Sequence, residues 1–139
     1  MKIKYIPVIY LLVISANIFC QAAKPDTIYF CREYKNGDEV GLSNTFGIAP
    51  GGDSITVMVK TNGPIKQSHV KVIVERYESG NYILAGTHKF DIDPSWDYIF
   101  FAGINFWKEG YYKVNLLKED GSVIISNYVT MVLLNGNSK

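Results

Sequence analysis

Apolar and polar residues alternate along most of the chain after residue 26, in short runs separated by Gly, Asn, Asp and Pro. In the run 54–61, for example, Ile55, Val57 and Val59 alternate with Thr, Met and Lys. A period of two between turn-forming residues predicts β-strands, and no stretch shows the helical period. The predicted segments are 27–34, 39–49 (a weaker one), 54–61, 69–78, 82–92 and 96–102, followed after Gly110 by a final pair.

The final pair predicts a hairpin with a definite register. A two-residue type I′ turn at Asp120-Gly121 sets Leu116 opposite Ile125, whereas a slip by one residue would set that leucine against a serine. Asn127 is the misfit, because it falls opposite Val114 on the apolar side. We expect a bulge there or a buried amide whose hydrogen bonds are satisfied.

About seven short strands with no helix predict an all-β fold, a single antiparallel β-sandwich over residues 24–139. A closed barrel is the alternative. Half of the strands carry a polar face, which favours two sheets with solvent outside. The chain shows no repeat, low-complexity block or charge run that would mark a second domain.

The segment Gly110–Val114, with the sequence Gly-Tyr-Tyr-Lys-Val, resembles the Gly-x-Tyr-x-(Cys/Val) pattern of immunoglobulin-like and fibronectin-III-like sandwiches. The resemblance implies that Tyr112 is the corner tyrosine of the penultimate strand, with Val114 at the position of the antibody cysteine. Lys108 departs from the aspartate often found in antibody domains. The chain is therefore similar to cysteine-free bacterial immunoglobulin-like modules, a resemblance that implies fold and not function.

The N-terminus predicts export. Lys2 and Lys4 precede an apolar run from Tyr5 to Cys20, and small residues follow it. This order is that of a cleavable signal peptide spanning residues 1–23, and the run is shorter than the roughly 20 residues that a membrane span requires. No transmembrane segment is expected after cleavage.

A lipid anchor on Cys20 is a weaker alternative, because the bulky Phe19 precedes it. The chain contains no Asn-x-Ser/Thr sequon, which agrees with a bacterial protein that is periplasmic or secreted. Cys31 is the one cysteine left after cleavage, and its place within an apolar run predicts a buried side chain rather than a disulfide.

Charge argues against nucleic acid as a partner. The chain has 14 basic and 13 acidic side chains. Removal of Lys2 and Lys4 with the signal peptide leaves 12 against 13, a net charge of −1. Nucleic-acid binding needs a basic patch or stripe, and no segment of the sequence supplies one.

Aromatic residues are unusually dense between Trp96 and Tyr112, where eight occur. Consecutive strand residues point to opposite faces, so one member of each adjacent aromatic pair, such as Tyr111 beside Tyr112, must leave the core. We single out Trp96, Trp107 and Tyr111 as candidate ligand-binding residues, for a protein interface or for stacking on a sugar. The alternative is a loop packed over the open end of the sandwich, with Trp107 as its plug.

No catalytic, metal or cofactor site is predicted. The loop 91–97 contains Asp-x-Asp, which could ligate calcium, but it lacks the EF-hand spacing and its Asp93-Pro94 also forms plain turns. His69 and His88 lack partners at zinc-ligand spacing, and no nucleophile elbow or P-loop occurs. We therefore expect a non-enzymatic binding module whose unidentified partner is a protein or, alternatively, a glycan.

Overall fold

The computed structural model describes residues 24–135, which form ten β-strands and no helix. The chain is therefore all-β, as the alternating pattern predicts. The strands are β1 Thr27–Cys31, β2 Glu33–Lys35, β3 Asp38–Val40, β4 Thr45–Ile48, β5 Asp53–Lys60, β6 His69–Glu78, β7 Asn81–Asp91, β8 Tyr98–Phe106, β9 Gly110–Lys118 and β10 Val123–Leu133.

Two sheets and one short hairpin make up the structure. The smaller sheet is antiparallel, in the order β1-β5-β8. The larger has the order β4-β10-β9-β6-β7, and within it β4 runs parallel to β10. The prediction of a wholly antiparallel arrangement is wrong for this pair, because β4 arrives beside the last strand in the same direction. The sheets are thus of mixed topology.

The buried side chains of both sheets form one hydrophobic cluster. Two ring contacts join the sheets across it: Phe101 of β8 lies 4.8 Å from Phe90 of β7, and Phe106 of β8 lies 4.9 Å from Tyr112 of β9. Burial of this apolar surface is the main stabilising contribution to such a fold. The predicted alternation is confirmed in β8, where Phe101 is buried and its neighbour Phe100 is exposed.

The β9–β10 hairpin has the predicted pairing but a different turn. Leu116 pairs with Ile125, as expected. The backbone N–H of Lys118 donates to the Ser122 carbonyl at 2.9 Å, and that of Gly121 donates to the Lys118 carbonyl at 2.9 Å. Of the loop residues only Gly121 has a positive φ, +88°. The loop therefore has three residues, 119–121. The prediction of a two-residue type I′ turn is wrong, because that turn needs a positive φ at Asp120 and Asp120 keeps a negative one. The Asp120 carboxylate instead accepts hydrogen bonds from the backbone N–H and the hydroxyl of Ser122. The pairing accordingly shifts before Ile125.

Asn127, the polar residue on the apolar side of that hairpin, is an amide whose side-chain N–H is hydrogen-bonded, which is one of the two predicted outcomes. It pairs in register with Val114, and its side-chain N–H donates to the backbone carbonyl of Ile28 in β1 at 2.7 Å. The amide thereby links the larger sheet to the smaller one.

Two predicted segments each contain a break. Residues 27–34 divide into β1 and β2, and residues 39–49 divide into β3 and β4. Asn36 and Gly37, with φ of +53° and +82°, form a type I′ turn that pairs β2 with β3. This hairpin lies over the outer face of the smaller sheet, where Tyr34 contacts Phe100 at 4.5 Å between ring centroids. The outer face predicted to meet solvent is therefore partly covered.

The strand predicted at 96–102 begins and ends later, at Tyr98 and Phe106. Gly103, with φ +72°, sits where the β5–β8 register shifts, so the strand continues past this irregularity. The predicted signal peptide, residues 1–23, lies outside the described residues. Across residues 24–135 no helix has the length and hydropathy needed to cross a membrane.

Candidate functional site

Four tyrosines form a continuous cluster on the outer face of the larger sheet. They are Tyr77 of β6, Tyr82 of β7, Tyr111 of β9 and Tyr128 of β10, and together we call them the tyrosine patch. Each remains between 37% and 48% exposed. Aromatic residues this exposed, and contiguous across four strands, are unusual for a sheet face turned to solvent.

The rings of the tyrosine patch contact one another in sequence. Tyr111 and Tyr128 are stacked, with planes 1° apart and centroids at 5.4 Å. Tyr128 lies 6.2 Å from Tyr82, which meets Tyr77 edge-on at 5.4 Å. These separations fall within the range of favourable aromatic pairs. The patch is thus a mutually packed group of rings and not four independent side chains.

Strand pairing explains how the patch assembles. Ser79 and Gly80 both have positive φ, and their tight turn sets Tyr77 directly opposite Tyr82. In the other hairpin Tyr111 pairs with Thr130. Tyr128 lies two residues before Thr130 on β10 and is therefore the diagonal neighbour of Tyr111. The β6–β9 pairing then brings the two hairpins together.

Polar groups border the rings. The Lys113 ammonium lies 5.8 Å from the ring centroid of Tyr82, within cation–π range. Beside it, the Asn115 side-chain N–H donates to Glu75 at 3.1 Å, and the Asn115 oxygen accepts from the Ser126 hydroxyl at 2.5 Å. Partial burial, followed by the neighbouring tyrosines, raises the pKa of Tyr82 above its ordinary value. The phenol is therefore neutral at physiological pH and able to donate a hydrogen bond.

Of the predicted candidates, Tyr111 alone belongs to this patch. Trp107 follows β8 and is 64% exposed, so it does not plug the end of the sandwich. Its ring lies on the backbone of Gly52: a Cβ added at Gly52 would come within 2.5 Å of Trp107 Cε3. One part of the indole is therefore supported and much of the remainder faces solvent.

Trp107 also borders a shallow groove of about 190 Å³. Arg76 and Glu78 form an ion pair in its lining, and the Arg76 Nη2 donates to the Glu109 carbonyl at 2.7 Å. Ile83 and Leu84 of β7 contribute apolar surface. The groove is smaller than typical small-molecule sites, so it could hold only a small group.

Trp96 precedes β8, whereas Trp107 follows it, so the two tryptophans lie at opposite ends of that strand. Nine strand residues separate them, a distance of roughly 30 Å. Trp96 is 48% exposed in the loop between β7 and β8, where its backbone N–H donates to the Asp93 carbonyl at 3.1 Å. The structure thus separates Trp96 from Trp107, and of the three candidates only Tyr111 belongs to the tyrosine patch.

A second polar and aromatic cluster holds the β2–β3 hairpin to the smaller sheet. The hydroxyls of Tyr29 and Tyr98 both donate to the Glu39 carboxylate, and the Lys60 ammonium lies above both rings. These hydrogen bonds lower the pKa of Glu39. Burial, together with the hydrogen bond to Glu39, raises the pKa of Tyr98 to about 12. The cluster is a structural latch for the hairpin.

The remaining candidate groups are buried, half-buried or hydrogen-bonded within the fold. Cys31 is fully buried, as predicted, and burial raises the pKa of its thiol. His69 contacts Asp91 at 2.6 Å, and Asp93 accepts hydrogen bonds from Ser95 within its turn. Burial lowers the pKa of His88. Between residues 24 and 135 no group of three or more His, Cys, Asp or Glu side chains is placed to hold a metal ion.

Sequence reasoning missed three of the four patch residues, Tyr77, Tyr82 and Tyr128. The available signal was their position within strands: each lies beside a turn or on the polar side of an alternating run. The chain matches no protein-family model, and no curated protein matches it. The candidate surface is therefore defined by geometry, as four packed tyrosines on the outer face of the larger sheet.

Proposed function

We propose that this protein is an exported, non-enzymatic β-sandwich module of the immunoglobulin-like kind. In this proposal it binds a protein partner through the tyrosine patch, in the bacterial envelope or outside the cell. The basic and apolar order of residues 1–23 supports export. The observation that carries the binding function is the contiguous, exposed tyrosine patch.

Two features support the immunoglobulin-like assignment. The Tyr112 hydroxyl donates to the Lys108 carbonyl four residues earlier at 2.5 Å, as a tyrosine corner does. The order β10-β9-β6-β7 also resembles the succession of the last, penultimate, third and following strands in variable-type domains. Val114 replaces the cysteine of antibody domains, so this would be a sandwich without the inter-sheet disulfide.

The chemistry of the patch favours a protein over a sugar. Tyr111 and Tyr128 use one ring face each in stacking on one another. With those faces occupied, a sugar ring meets fewer free ring faces, whereas the ring edges, hydroxyls and lysine of the patch suit an irregular protein surface. Tyrosine is enriched in protein interfaces because it brings a large contact area and a hydroxyl at small entropic cost.

Affinity capture from bacterial envelope extract tests this function, with each captured protein then purified and measured directly. The double variant Tyr111→Ser/Tyr128→Ser should weaken binding at least about thirtyfold, since truncating a hot-spot tyrosine costs about 2 kcal/mol or more. Trp96→Ser is the matched control, because it removes an exposed aromatic away from the patch. Equal affinity of the double variant and the control would refute the proposal.

One observation favours a second function, carbohydrate binding at Trp107. The indole rests on Gly52, is largely exposed and borders a groove with charged groups. An immobilised, exposed ring beside hydrogen-bonding side chains suits stacking on one sugar unit. Glycan-array binding that disappears in Trp107→Ala and persists in Tyr111→Ser/Tyr128→Ser would favour this function over the first.

A further inference from the structure

Strand β7 is an edge of the larger sheet. It pairs with β6 on one side, and within residues 24–135 no strand pairs with its other side. As an edge strand it presents a row of unpaired backbone donors and acceptors. At 11 residues it is also longer than most strands, so this row is long. Residues 81–85 are all exposed, with Ile83 at 48% and Leu84 at 64%.

This edge lacks most of the features by which natural sheets prevent pairing. The first half of β7, Asn81–Ala85, contains no proline and no charged residue. The charges of the strand, Lys89 and Asp91, lie in its other half. Ala85, the last residue of the apolar half, has no partner on β6 because a bulge falls there, and this irregularity restricts regular pairing to the apolar half. An apolar, uncharged edge of this kind is a template for another strand.

We propose that the apolar half of β7 pairs antiparallel with the same segment of a second copy of this chain, around a two-fold axis at Ile83. Asn81 of each copy then lies opposite Ala85 of the other, and Tyr82 lies opposite Leu84. The larger sheets of both copies become one continuous ten-stranded sheet.

A second copy fits this edge for two reasons. Tyr82 and Leu84 occupy the same outer face, since they pair with Tyr77 and Glu75, two residues apart on β6. Antiparallel self-pairing converts them into two aromatic–aliphatic cross-strand pairs, a favourable combination on a sheet. It also directs the two Lys89 residues away from each other, whereas parallel self-pairing would place them side by side.

The proposal does not rest on the tyrosine patch being a partner-binding site. Tyr82 is common to both surfaces, so the variants below leave it unchanged. Self-association and partner binding can then fail separately.

Analytical ultracentrifugation tests the dimer on the full chain, expressed with its own N-terminal segment and purified in the form that the host releases. We expect a concentration-dependent monomer–dimer equilibrium. Ile83→Lys/Leu84→Lys should weaken the dimer at least about tenfold, because four lysines would meet across the axis. Val40→Lys/Leu42→Lys, also exposed and apolar but outside β7, should leave it unchanged.

A cysteine at the axis supplies the geometric test. Residues directly opposite in an antiparallel pair have Cα atoms about 4.5–5.5 Å apart, within the range that a disulfide bridges. Ile83→Cys should therefore cross-link to itself under mild copper-catalysed air oxidation, whereas Val123→Cys, exposed at the start of β10, should not. Cys31 is buried and does not compete. A chain that is monomeric at all concentrations, a dimer unaffected by the two β7 lysines, or equal cross-linking at both positions would overturn the proposal.

Discussion

The Tyr112 hydroxyl donates a hydrogen bond to the backbone carbonyl of Lys108 at 2.5 Å, across the loop that joins the two sheets. The ring itself is 2% exposed and meets Phe106 edge-on. The tyrosine thus fixes the path of the chain from β8 to β9 while contributing to the core.

Tyr112→Phe should retain the ring packing and lose this bond. We expect the free energy of unfolding to fall by about 1–2 kcal/mol, because the Lys108 carbonyl loses its partner in a partly buried position. Urea denaturation followed by fluorescence measures the change. Tyr128→Phe, an exposed tyrosine, should cost much less, and an equal loss in both variants would contradict this role for the Tyr112 hydroxyl.

Burial of Phe101 and exposure of Phe100 predict very different costs for the same substitution. Phe101→Ala should destabilise the protein by about 3–5 kcal/mol, since it opens a cavity beside Phe90 in the core. Phe100→Ala removes a ring that contacts Tyr34 outside the core and should cost only about 1 kcal/mol. Chemical denaturation of the two variants gives the comparison, and equal costs would contradict the strand orientation.

The alternation that predicts these faces is local, which explains why it was recoverable from sequence. The pairing of Leu116 with Ile125 follows from the same alternation. The turn between their strands did not follow, because the sequence Asp-Gly fits both a two-residue and a three-residue loop. In contrast, Asn36-Gly37 does form the type I′ turn.

The tyrosine patch depends on contacts that no local pattern encodes. Tyr77 and Tyr82 belong to one hairpin, and Tyr111 and Tyr128 belong to another. They become one surface only because β6 pairs with β9. In that pairing Arg76 lies opposite Tyr112, which is 36 residues later in the chain. Local alternation likewise does not predict that the β2–β3 hairpin covers the outer face of the smaller sheet, because that contact requires the hairpin to fold back onto strands distant in sequence.

The hydrogen bonds of Glu39 predict acid sensitivity of the latch. Because the folded-state pKa of Glu39 is lowered, its contribution is fully present above the ordinary value near 4.5 and is lost as pH falls through the folded-state value. Glu39→Gln should therefore reduce stability at pH 7 and narrow the difference in stability between pH 7 and pH 3. Thermal denaturation at both pH values measures this, and an unchanged pH dependence would argue against the latch.

The same hydrogen-bonded cluster predicts that the Tyr98 hydroxyl ionises at a higher pH than an ordinary tyrosine. The pKa of Tyr98 is raised to about 12 from its ordinary value of 10, so its hydroxyl stabilises the fold below pH 10 and this contribution declines as pH approaches 12. Ultraviolet titration of the wild type against Tyr98→Phe isolates this group. A difference spectrum with its midpoint at pH 10 would contradict the hydrogen bond to Glu39.

Gly52 and Gly51 form a matched pair for testing the support of Trp107. Both have positive φ, +101° and +91°, so alanine at either position strains the backbone by about 1–2 kcal/mol. Only Gly52→Ala also pushes a methyl group into the indole. In a Trp96→Phe background, Gly52→Ala should shift the fluorescence emission of Trp107 while Gly51→Ala should not, and identical spectra would contradict this contact.

Site-specific photo-cross-linking in living bacteria tests the central claim, that the tyrosine patch binds a protein partner. A photoreactive phenylalanine analogue replaces Tyr111 in one strain and Trp96, the exposed control away from the patch, in another. We expect a discrete protein adduct from position 111 that is absent at position 96. No adduct at position 111, or the same adduct from both positions, would contradict the assignment of this surface.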